Sequence, residues 1–293
     1  MVLKHYQDSS VEAYLNDESV EIERVKEVAN DRLVQIKLLF TMSGFTKCFR
    51  PQSFYPSDLS KLRLWLKADS VGAFDIPTKQ IAVWTDRSGI GFNATQADAE
   101  FRPLRIGYDG AKDKAYVEFD GTDDYMAIAT GLMTQSDLTM FFVFKQDDRS
   151  AYDETVFYIE GETSPPTEST ELLKIYCKDN VIYALISDGD GHSGELSGGT
   201  AMDWNIVELR LEGNNMALTI NGLDVGTDTI ASYSESAIDG DVSVGSVVSV
   251  EAYSRFFNGQ IEEVIVFDRA IDEVSEQPNV RAYLSEKYNI TVS

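Results

Sequence analysis

The sequence predicts an all-β protein built as an antiparallel two-sheet sandwich, and three observations lead to this prediction. Short segments rich in Val, Ile, Phe, Tyr and Thr recur along the chain, separated by clusters of Gly, Asn, Asp and Ser. In many of these segments apolar and polar side chains alternate, which gives a strand one buried face and one solvated face. Two half-apolar sheets bury their inner faces by packing on each other.

The candidate strands follow one another along most of the chain. Two of the connections read as hairpin turns, because Gly, Asn and Asp tolerate the positive φ that tight turns need: Lys178–Asp179–Asn180 and Gly213–Asn214–Asn215. The predicted strands are AVWTD (82–86), YVEFD (116–120), LTMFFVF (138–144), TVFYIEG (155–161), LLKIYC (172–177), VIYALIS (181–187), NIVELRLEG (205–213), MALTING (216–222) and EEVIVFD (262–268).

From about Leu62 onward, the order of these segments resembles the laminin-G-like, concanavalin-A-like jelly-roll family of phage virion and microbial surface proteins. The resemblance rests on LRLWLKADSV (62–71), QIAVWTDRSGIGFNATQ (80–96), FRP (101–103), AYVEFDGTDDYMAI (115–128), LTMFFVFK (138–145), MALTINGLDVG (216–226), DVSVGS (241–246), FFNGQIEEVIVFD (256–268) and VRAYLSEKY (280–288). It implies a jelly-roll sandwich that ends in a short C-terminal helix.

Length fits one sandwich preceded by an extension. A sandwich accommodates about 200–250 residues as one domain, so we predict an N-terminal extension at 1–57 and a jelly-roll domain at 58–293. Within the extension, Asp31–Gly44 has apolar residues at period 2 and predicts a strand, although other apolar positions leave a helix open. Such a strand would pair with a sheet edge of another chain or pack on its own sandwich.

The charge of the chain excludes some partners. With 25 Lys and Arg against 49 Asp and Glu, the formal net charge is −24. Binding to nucleic acid needs a continuous basic stripe, so we expect neither nucleic acid nor an anionic membrane as a partner. The two cysteines, Cys48 and Cys177, are expected to be free thiols. No apolar segment is long enough for membrane insertion, and the first residues lack a signal-peptide core.

The sequence predicts no catalytic residues. Glu118, Asp120 and Asp123 faintly echo the paired carboxylates of jelly-roll glucanases, but their spacing differs. In the family this segment is a structural landmark, which implies that Phe119 packs inward and that Asp120 and Asp123 tie a turn. With only His5 and His192, a general base is scarce. We therefore expect a protein that is not an enzyme, with a glycoside hydrolase or lyase as the less favoured alternative.

The strongest candidate for a binding site is the Gly-rich acidic loop 188–195. Its polar side chains, the candidate ligand- or glycan-binding residues, are Asp188, Asp190, His192 and Glu195. Carboxylate oxygens are the ligands that Ca²⁺ prefers, so Asp188, Asp190 and Glu195 are candidate calcium ligands, and Ca²⁺ is the one candidate cofactor. The alternative is a solvated hairpin loop whose glycines supply positive φ. Loops on a rigid β scaffold are frequent places for binding groups.

The three tryptophans admit a structural and a functional interpretation. Trp84 lies close in sequence to Asp86, Arg87 and Asn93. If exposed, the Trp would stack on a sugar ring and the three polar side chains would hydrogen-bond its hydroxyls. In the family this motif implies a buried Trp and a hydrogen-bonded turn. Trp65 and Trp204 read as residues of the core or its edge.

These inferences together predict a non-enzymatic virion surface protein of a phage, a capsid decoration, fibre or knob that binds host-surface glycans. A virion protein is assembled in the cytoplasm and released by lysis, which fits the absence of an export signal. We expect it at the virion surface, in multiple copies or as an oligomer, attached to other virion proteins through the extension. The alternative is an extracellular carbohydrate-binding or adhesion module of a bacterium.

Overall fold

The computed structural model describes residues 2–5, 11–15, 18–20, 54–72, 75, 77–107, 114–133, 137–161, 170–188, 192–231, 240–247 and 255–293. The chain divides into two compact units, Met1–Gln52 and Ser53–Ser293. The predicted strand at Asp31–Gly44 and the predicted thiol of Cys48 lie outside the described residues.

The regular secondary structure of the described residues consists almost entirely of strands. These are β1 (Val2–His5), β2 (Val11–Leu15), β3 (Glu18–Val20), β4 (Leu62–Lys67), β5 (Val83–Trp84), β6 (Ala94–Thr95), β7 (Leu104–Ile106), β8 (Tyr116–Asp120), β9 (Met126–Ile128), β10 (Leu138–Gln146), β11 (Glu154–Gly161), β12 (Thr170–Lys178), β13 (Val181–Ser187), β14 (Ser193–Gly198), β15 (Asn205–Glu212), β16 (Asn215–Ile220), β17 (Leu223–Thr229), β18 (Val242–Val244) and β19 (Asn258–Phe267). Short 3₁₀ turns are Pro56–Asp58, Ala68–Ser70 and Ala99–Phe101, and the α-helix is α1 (Gln277–Tyr288). Within the described ranges, no helix has both the length and the apolar character needed to cross a membrane.

In the first unit, β1, β2 and β3 form an antiparallel three-stranded sheet. The second unit contains two sheets. The first sheet has the order β17-β16-β15-β10-β19-β8-β7, with β4 also paired to β19, and the second has the order β14-β13-β12-β11-β18-β9-β6-β5. Every strand pair is antiparallel. The predicted two-sheet antiparallel jelly roll with a short C-terminal helix is confirmed.

The main core lies between the inner faces of the two sheets. Phe142 of the first sheet meets Phe157 of the second with ring centroids 5.4 Å apart. Trp84 and Phe119 are both buried in this core, which confirms the structural interpretation of each. Gly245 has φ +87°, and a Cβ there would lie 2.4 Å from the Phe119 ring, so this position accepts only glycine without rearrangement of the core.

The two predicted hairpin turns are confirmed. Asp179 and Asn180 join β12 to β13 with φ values of 52° and 65°, and Gly213 precedes β16 with a φ of 56°. The first of these turns sets the register of its hairpin, in which Lys178 pairs with Val181 and Tyr176 with Tyr183. Cys177 of β12 is a buried free thiol, as expected.

Candidate functional site

The outer face of the central strands of the first sheet, β10 and β19, is covered by the protein itself. Phe141 and Ile265 point away from the main core and belong to a second apolar cluster. Val280 and Leu284 of α1 complete this cluster from the helix side. A salt bridge between Arg281 of α1 and the buried Glu208 of the sheet adds a polar contact at 2.5 Å. This face is therefore part of the folded core.

A second buried carboxylate, that of Glu263 in β19, also ties α1 to the sheet. One of its oxygens accepts hydrogen bonds from Trp65 Nε1 at 2.5 Å and from the Tyr283 hydroxyl at 3.0 Å. The other accepts from Lys287 Nζ at 2.6 Å and from the Tyr288 hydroxyl. Burial and the charge of Glu263 raise the pKa of both tyrosines, which stay protonated as donors. Because each oxygen already accepts two hydrogen bonds, the Glu263 carboxylate stabilises the fold and has no oxygen left for a ligand.

The outer face of the second sheet carries aromatic and charged side chains instead. Along β12, residues 173, 175 and 177 point into the core, so Lys174, Tyr176 and Lys178 point outward. Tyr176 lies opposite Tyr183 of β13, with ring centroids 4.8 Å apart and planes 13° from parallel. The Tyr176 hydroxyl donates to Glu195 Oε1 of β14 at 2.6 Å. We call Lys174, Tyr176, Tyr183 and Glu195 the tyrosine strip.

The contacts of the tyrosine strip fix its geometry. Lys174 Nζ lies 4.2 Å from the centroid of the Tyr176 ring. Burial raises the pKa of Tyr176, and its hydrogen bond to Glu195 raises it further, so its hydroxyl remains a donor. Lys174 and Tyr176 are buried, with 2% and 7% of their surface exposed, whereas Tyr183 is half-buried and Glu195 is exposed. On the neighbouring strand β11, the outward-pointing Tyr158 is fully buried and packs with Val247, so the face is covered there.

Asp153 lies at the end of the strip nearest the β12–β13 turn. Its carboxylate contacts Lys174 Nζ at 2.9 Å, Lys178 Nζ at 3.4 Å and Arg255 at 3.7 Å. Burial alone raises the pKa of Asp153, but the hydrogen bonds and charges of Lys174 and Lys178 outweigh it and hold this pKa below its ordinary value. Asp153 is therefore ionised at neutral pH.

The residues of loop 188–195 that were predicted to bind a ligand make hydrogen bonds to different partners. Asp188 is bound through both oxygens to His192, with Oδ1 accepting from the backbone N–H at 3.1 Å and Oδ2 lying 2.7 Å from Nδ1. Glu195 instead faces Tyr176 in the strip. Asp190 lies outside the described residues. Calcium binding by Asp188, Asp190 and Glu195 stays a prediction.

A second acidic group lies at the turn after β8. Ligand atoms of Asp120, Asp123 and Asp124 lie within 4.8 Å of one another, and no other group of this kind occurs among the residues described. Asp120 Oδ1 accepts from the backbone of Thr122 and Asp123, and Asp124 Oδ2 accepts from the backbone of Asp120. The turn is thus tied by the side chain of Asp120, as the sequence implied, and by that of Asp124, whereas Asp123 contributes its backbone N–H. Burial and the charge of Asp120 raise the pKa of Asp124 from 3.8 to about 7.

The motif around Trp84 is a hydrogen-bonded turn. Oδ1 of the buried Asp86 accepts from the backbone of Trp65 at 2.9 Å and of Ser88 at 2.8 Å. Oδ2 accepts from Ser88 Oγ at 2.6 Å and from the backbone of Gly91 at 2.9 Å. Trp84 is fully buried beneath this turn, so its ring is not accessible to a sugar.

The comparisons with known proteins agree with this architecture. Residues 120–274 match the family model described as the concanavalin A-like lectin/glucanases superfamily. The chain belongs to this superfamily. No curated protein sequence matches the chain.

Solved structures share the fold at low sequence identity. The binding domain of Paraclostridial mosquitocidal protein 1 has a TM-score of 0.57 at 11% identity, covering 79% of this chain and 53% of that one. Trypanosoma rangeli sialidase in complex with sialic acid has a TM-score of 0.55 at 11% identity, covering 80% and 34%. The ligand-binding domain of botulinum neurotoxin serotype D, solved with N-acetylneuraminic acid, has a TM-score of 0.51 at 13% identity, covering 78% and 50%. The chain thus spans about half the length of each of the two toxin domains and about a third of the length of the sialidase.

Proposed function

We propose that the protein is a non-enzymatic glycan-binding protein and that the tyrosine strip is its sugar-binding surface. The observation that carries the proposal is the stacked pair of Tyr176 and Tyr183 on the outer face of the second sheet. The ring of the half-buried Tyr183 offers apolar area for the face of a sugar ring, and the exposed carboxylate of Glu195 supplies acceptors for hydroxyls. The buried Lys174 and Tyr176 hold these two side chains in place. The lectin-like fold supports the same class of ligand.

The proposal is tested on a glycan array with the wild type and Tyr183→Ala. Tyr183→Ala should lower glycan binding by about two- to tenfold, because an aromatic contact contributes about 0.5–1.5 kcal/mol. Tyr125→Ala is the matched control. Tyr125 is also half-buried, but it precedes β9, which lies four strands away from β13 in the second sheet. Equal binding by Tyr183→Ala and the wild type would refute the assignment of the strip.

We propose binding without catalysis because the described carboxylates that resemble catalytic groups are committed to the fold. Asp120 and Asp124 bind the backbone of their turn, and Glu263 binds four donors of its surroundings. A reducing-sugar assay on a panel of polysaccharides measures this directly. Sugar release above that of the heat-denatured protein would favour the hydrolase or lyase alternative.

We also propose that the protein decorates a virion surface in several copies and contacts other virion proteins through residues 1–57. The support is the separate N-terminal unit that precedes the lectin-like unit. Phe54 and Leu59 pack with the second apolar cluster, so the informative deletion ends at Gln52.

The deleted protein, residues 53–293, should fold, with the melting temperature of the second unit unchanged, and should fail to enter purified virions. Incorporation of the deleted protein would refute the anchor. Absence of the full-length protein from virions would favour a bacterial adhesion or carbohydrate-binding module at an extracellular surface.

A further inference from the structure

The strands at the ends of the two sheets differ in length. β5 and β7 have two and three residues, and other segments of the chain cover them. Gln80 bridges Leu104 of β7, and the backbone N–H of Gly72 donates to the carbonyl of Val83 in β5. β14 and β17, at the other two ends, have six and seven residues, and among the described strands none pairs with the outer side of either. The long edges are therefore the ones that need protection from strand pairing.

Of the two long edges, β14 has fewer of the features that prevent pairing. Natural sheets protect an edge with charged side chains, proline or an irregular register. β17 carries Asp224 and Asp228, and its register with β16 shifts between Leu218 and Thr219. β14, with the sequence SGELSG, has a regular register, no Lys, Arg or Pro, and one charged residue, Glu195. A flat edge of this kind is a template for another strand.

The backbone groups at the open edge of β14 belong to residues with exposed side chains. The backbone N–H of Asp188 donates to the His192 carbonyl, in the same register that pairs β13 with β14. Hydrogen-bonded and non-hydrogen-bonded pairs alternate along an antiparallel ladder. Ser193, Glu195 and Ser197 therefore occupy non-hydrogen-bonded positions opposite β13, and their N–H and C=O groups point to the open side. Each of these residues is exposed.

A second copy of the chain fits this edge. Antiparallel pairing of a strand with its own copy needs only a two-fold axis, the commonest symmetry of protein oligomers. If Glu195 pairs with the second copy's Ser197, the outward N–H and C=O groups of both residues find partners. Each carboxylate then faces a serine hydroxyl, so no like charges meet in the ladder. The half-buried Leu196, which packs against the main core from this edge, gains cover in the same step.

We infer that β14 pairs antiparallel with β14 of a second copy, which joins the second sheets of the two copies into one continuous sheet. The two-fold axis is perpendicular to that sheet, so both tyrosine strips face the same side. The β13 strands of the two copies lie three strand spacings apart, about 14 Å. Such a dimer presents two Tyr183 side chains to a surface that carries many glycans, which raises avidity. The pairing itself does not depend on glycan binding.

Area and charge make this dimer weak. One strand pair buries less than a stable interface, which covers about 1,200–2,000 Å². The formal net charge of −24 opposes association. A carboxylate of β17 also lies close to the axis, since a Cβ at Gly194 of β14 would be 3.0 Å from Asp228 Oδ2. Because salt screens this repulsion, the dimer should form at high protein concentration and become stronger as NaCl is raised.

The test is sedimentation velocity of the full-length protein over a concentration series, at low and at high NaCl. The dimer fraction should rise with protein concentration and with salt. Ser197→Pro should weaken the dimer by about tenfold or more, because proline removes an outward N–H and blocks the edge while the β13–β14 ladder keeps its bonds. Thr227→Pro is the matched control. The Ile230 N–H donates to the Asn214 carbonyl, so Thr227 of β17 also has an outward N–H, and its substitution should leave the dimer intact.

Amide hydrogen exchange gives a second measurement on the wild type. The N–H groups of Glu195 and Ser197 should exchange more slowly as the dimer forms, whereas that of Thr227 should not change. A protein that stays monomeric at every concentration and salt, a dimer that Ser197→Pro retains, or unchanged exchange in β14 would overturn the inference. Equal weakening by Thr227→Pro would also overturn it, because the contact would then not be specific to β14.

Discussion

Replacing Glu263 by alanine is expected to lower the free energy of unfolding of the second unit by about 3–5 kcal/mol, the range for breaking a buried ion pair. The substitution removes the acceptor of Trp65 Nε1 and of the hydroxyls of Tyr283 and Tyr288. Each buried donor left without an acceptor costs about 1–3 kcal/mol. Lys287 keeps its ion pair with Asp69 at 3.5 Å. The expected loss of stability is therefore close to the sum of the lower costs of the three donors that are left without an acceptor.

For a unit of this size the loss corresponds to a decrease in melting temperature of about 10 °C. Urea unfolding followed by tryptophan fluorescence measures it, because Trp65 itself donates to Glu263. Glu286→Ala is the matched control, since Glu286 is an exposed glutamate of the same helix, and it should change stability by about 0.5 kcal/mol or less. Glu263→Gln keeps the shape and one acceptor oxygen, so its loss should be intermediate. If Glu263→Ala were as stable as Glu286→Ala, the carboxylate would not hold the helix.

Three further predictions concern the core, the acidic turn and the loop. Trp84→Ala and Phe119→Ala should each cost about 3–5 kcal/mol in thermal or urea unfolding, as expected for a large buried aromatic, and a near-wild-type melting curve would contradict their burial. The raised pKa of Asp124 means that the folded state holds a proton that the unfolded state releases, so its contribution to stability is present below about pH 4 and lost by about pH 7. Asp124→Asn should remove this pH dependence of the free energy of unfolding, which amounts to about 1 kcal/mol after solvent screening. An unchanged dependence on pH would contradict the raised pKa of Asp124. If the loop at Asp188 binds calcium, millimolar Ca²⁺ should raise the melting temperature relative to EDTA, and Asp188→Ala should abolish the increase; equal curves for the wild type would exclude the site.

Much of the fold could be predicted from local patterns. The period-2 alternation in β12 and β13 identified both strands, and the positive-φ residues of the 178–180 turn located the hairpin between them. The covered face of the first sheet was harder to predict. Glu263 looks solvated in the segment EEVIVFD, and only the position of α1 reveals that it is buried among four donors. Its partners are 20 or more residues away along the chain, so no local spacing indicates them.

The tyrosine strip was missed for a different reason. Tyr176 and Tyr183 lie symmetrically about the 178–180 turn, so hairpin register alone places them opposite each other. Gly-rich loops are the usual places for ligands, and in the sequence both tyrosines read as ordinary strand residues. Glu195 reads as a loop residue, whereas in the structure it lies within β14 and beside Tyr176. Asp188 is engaged by His192, four residues away, a contact that sequence spacing allows but does not specify.

The burial pattern of the strands determines which sheet face is available to a ligand. In β10 and β19 nearly every residue is buried, so both faces of these central strands must be covered, one by the second sheet and the other by α1. In β13 buried and half-buried residues alternate strictly, so only its inner face needs a partner. On the outer face of the second sheet, the side chains that a ligand can reach lie on β13 and β14, where Tyr183 is half-buried and Glu195 is exposed, whereas Tyr158, Lys174 and Tyr176 of β11 and β12 are buried.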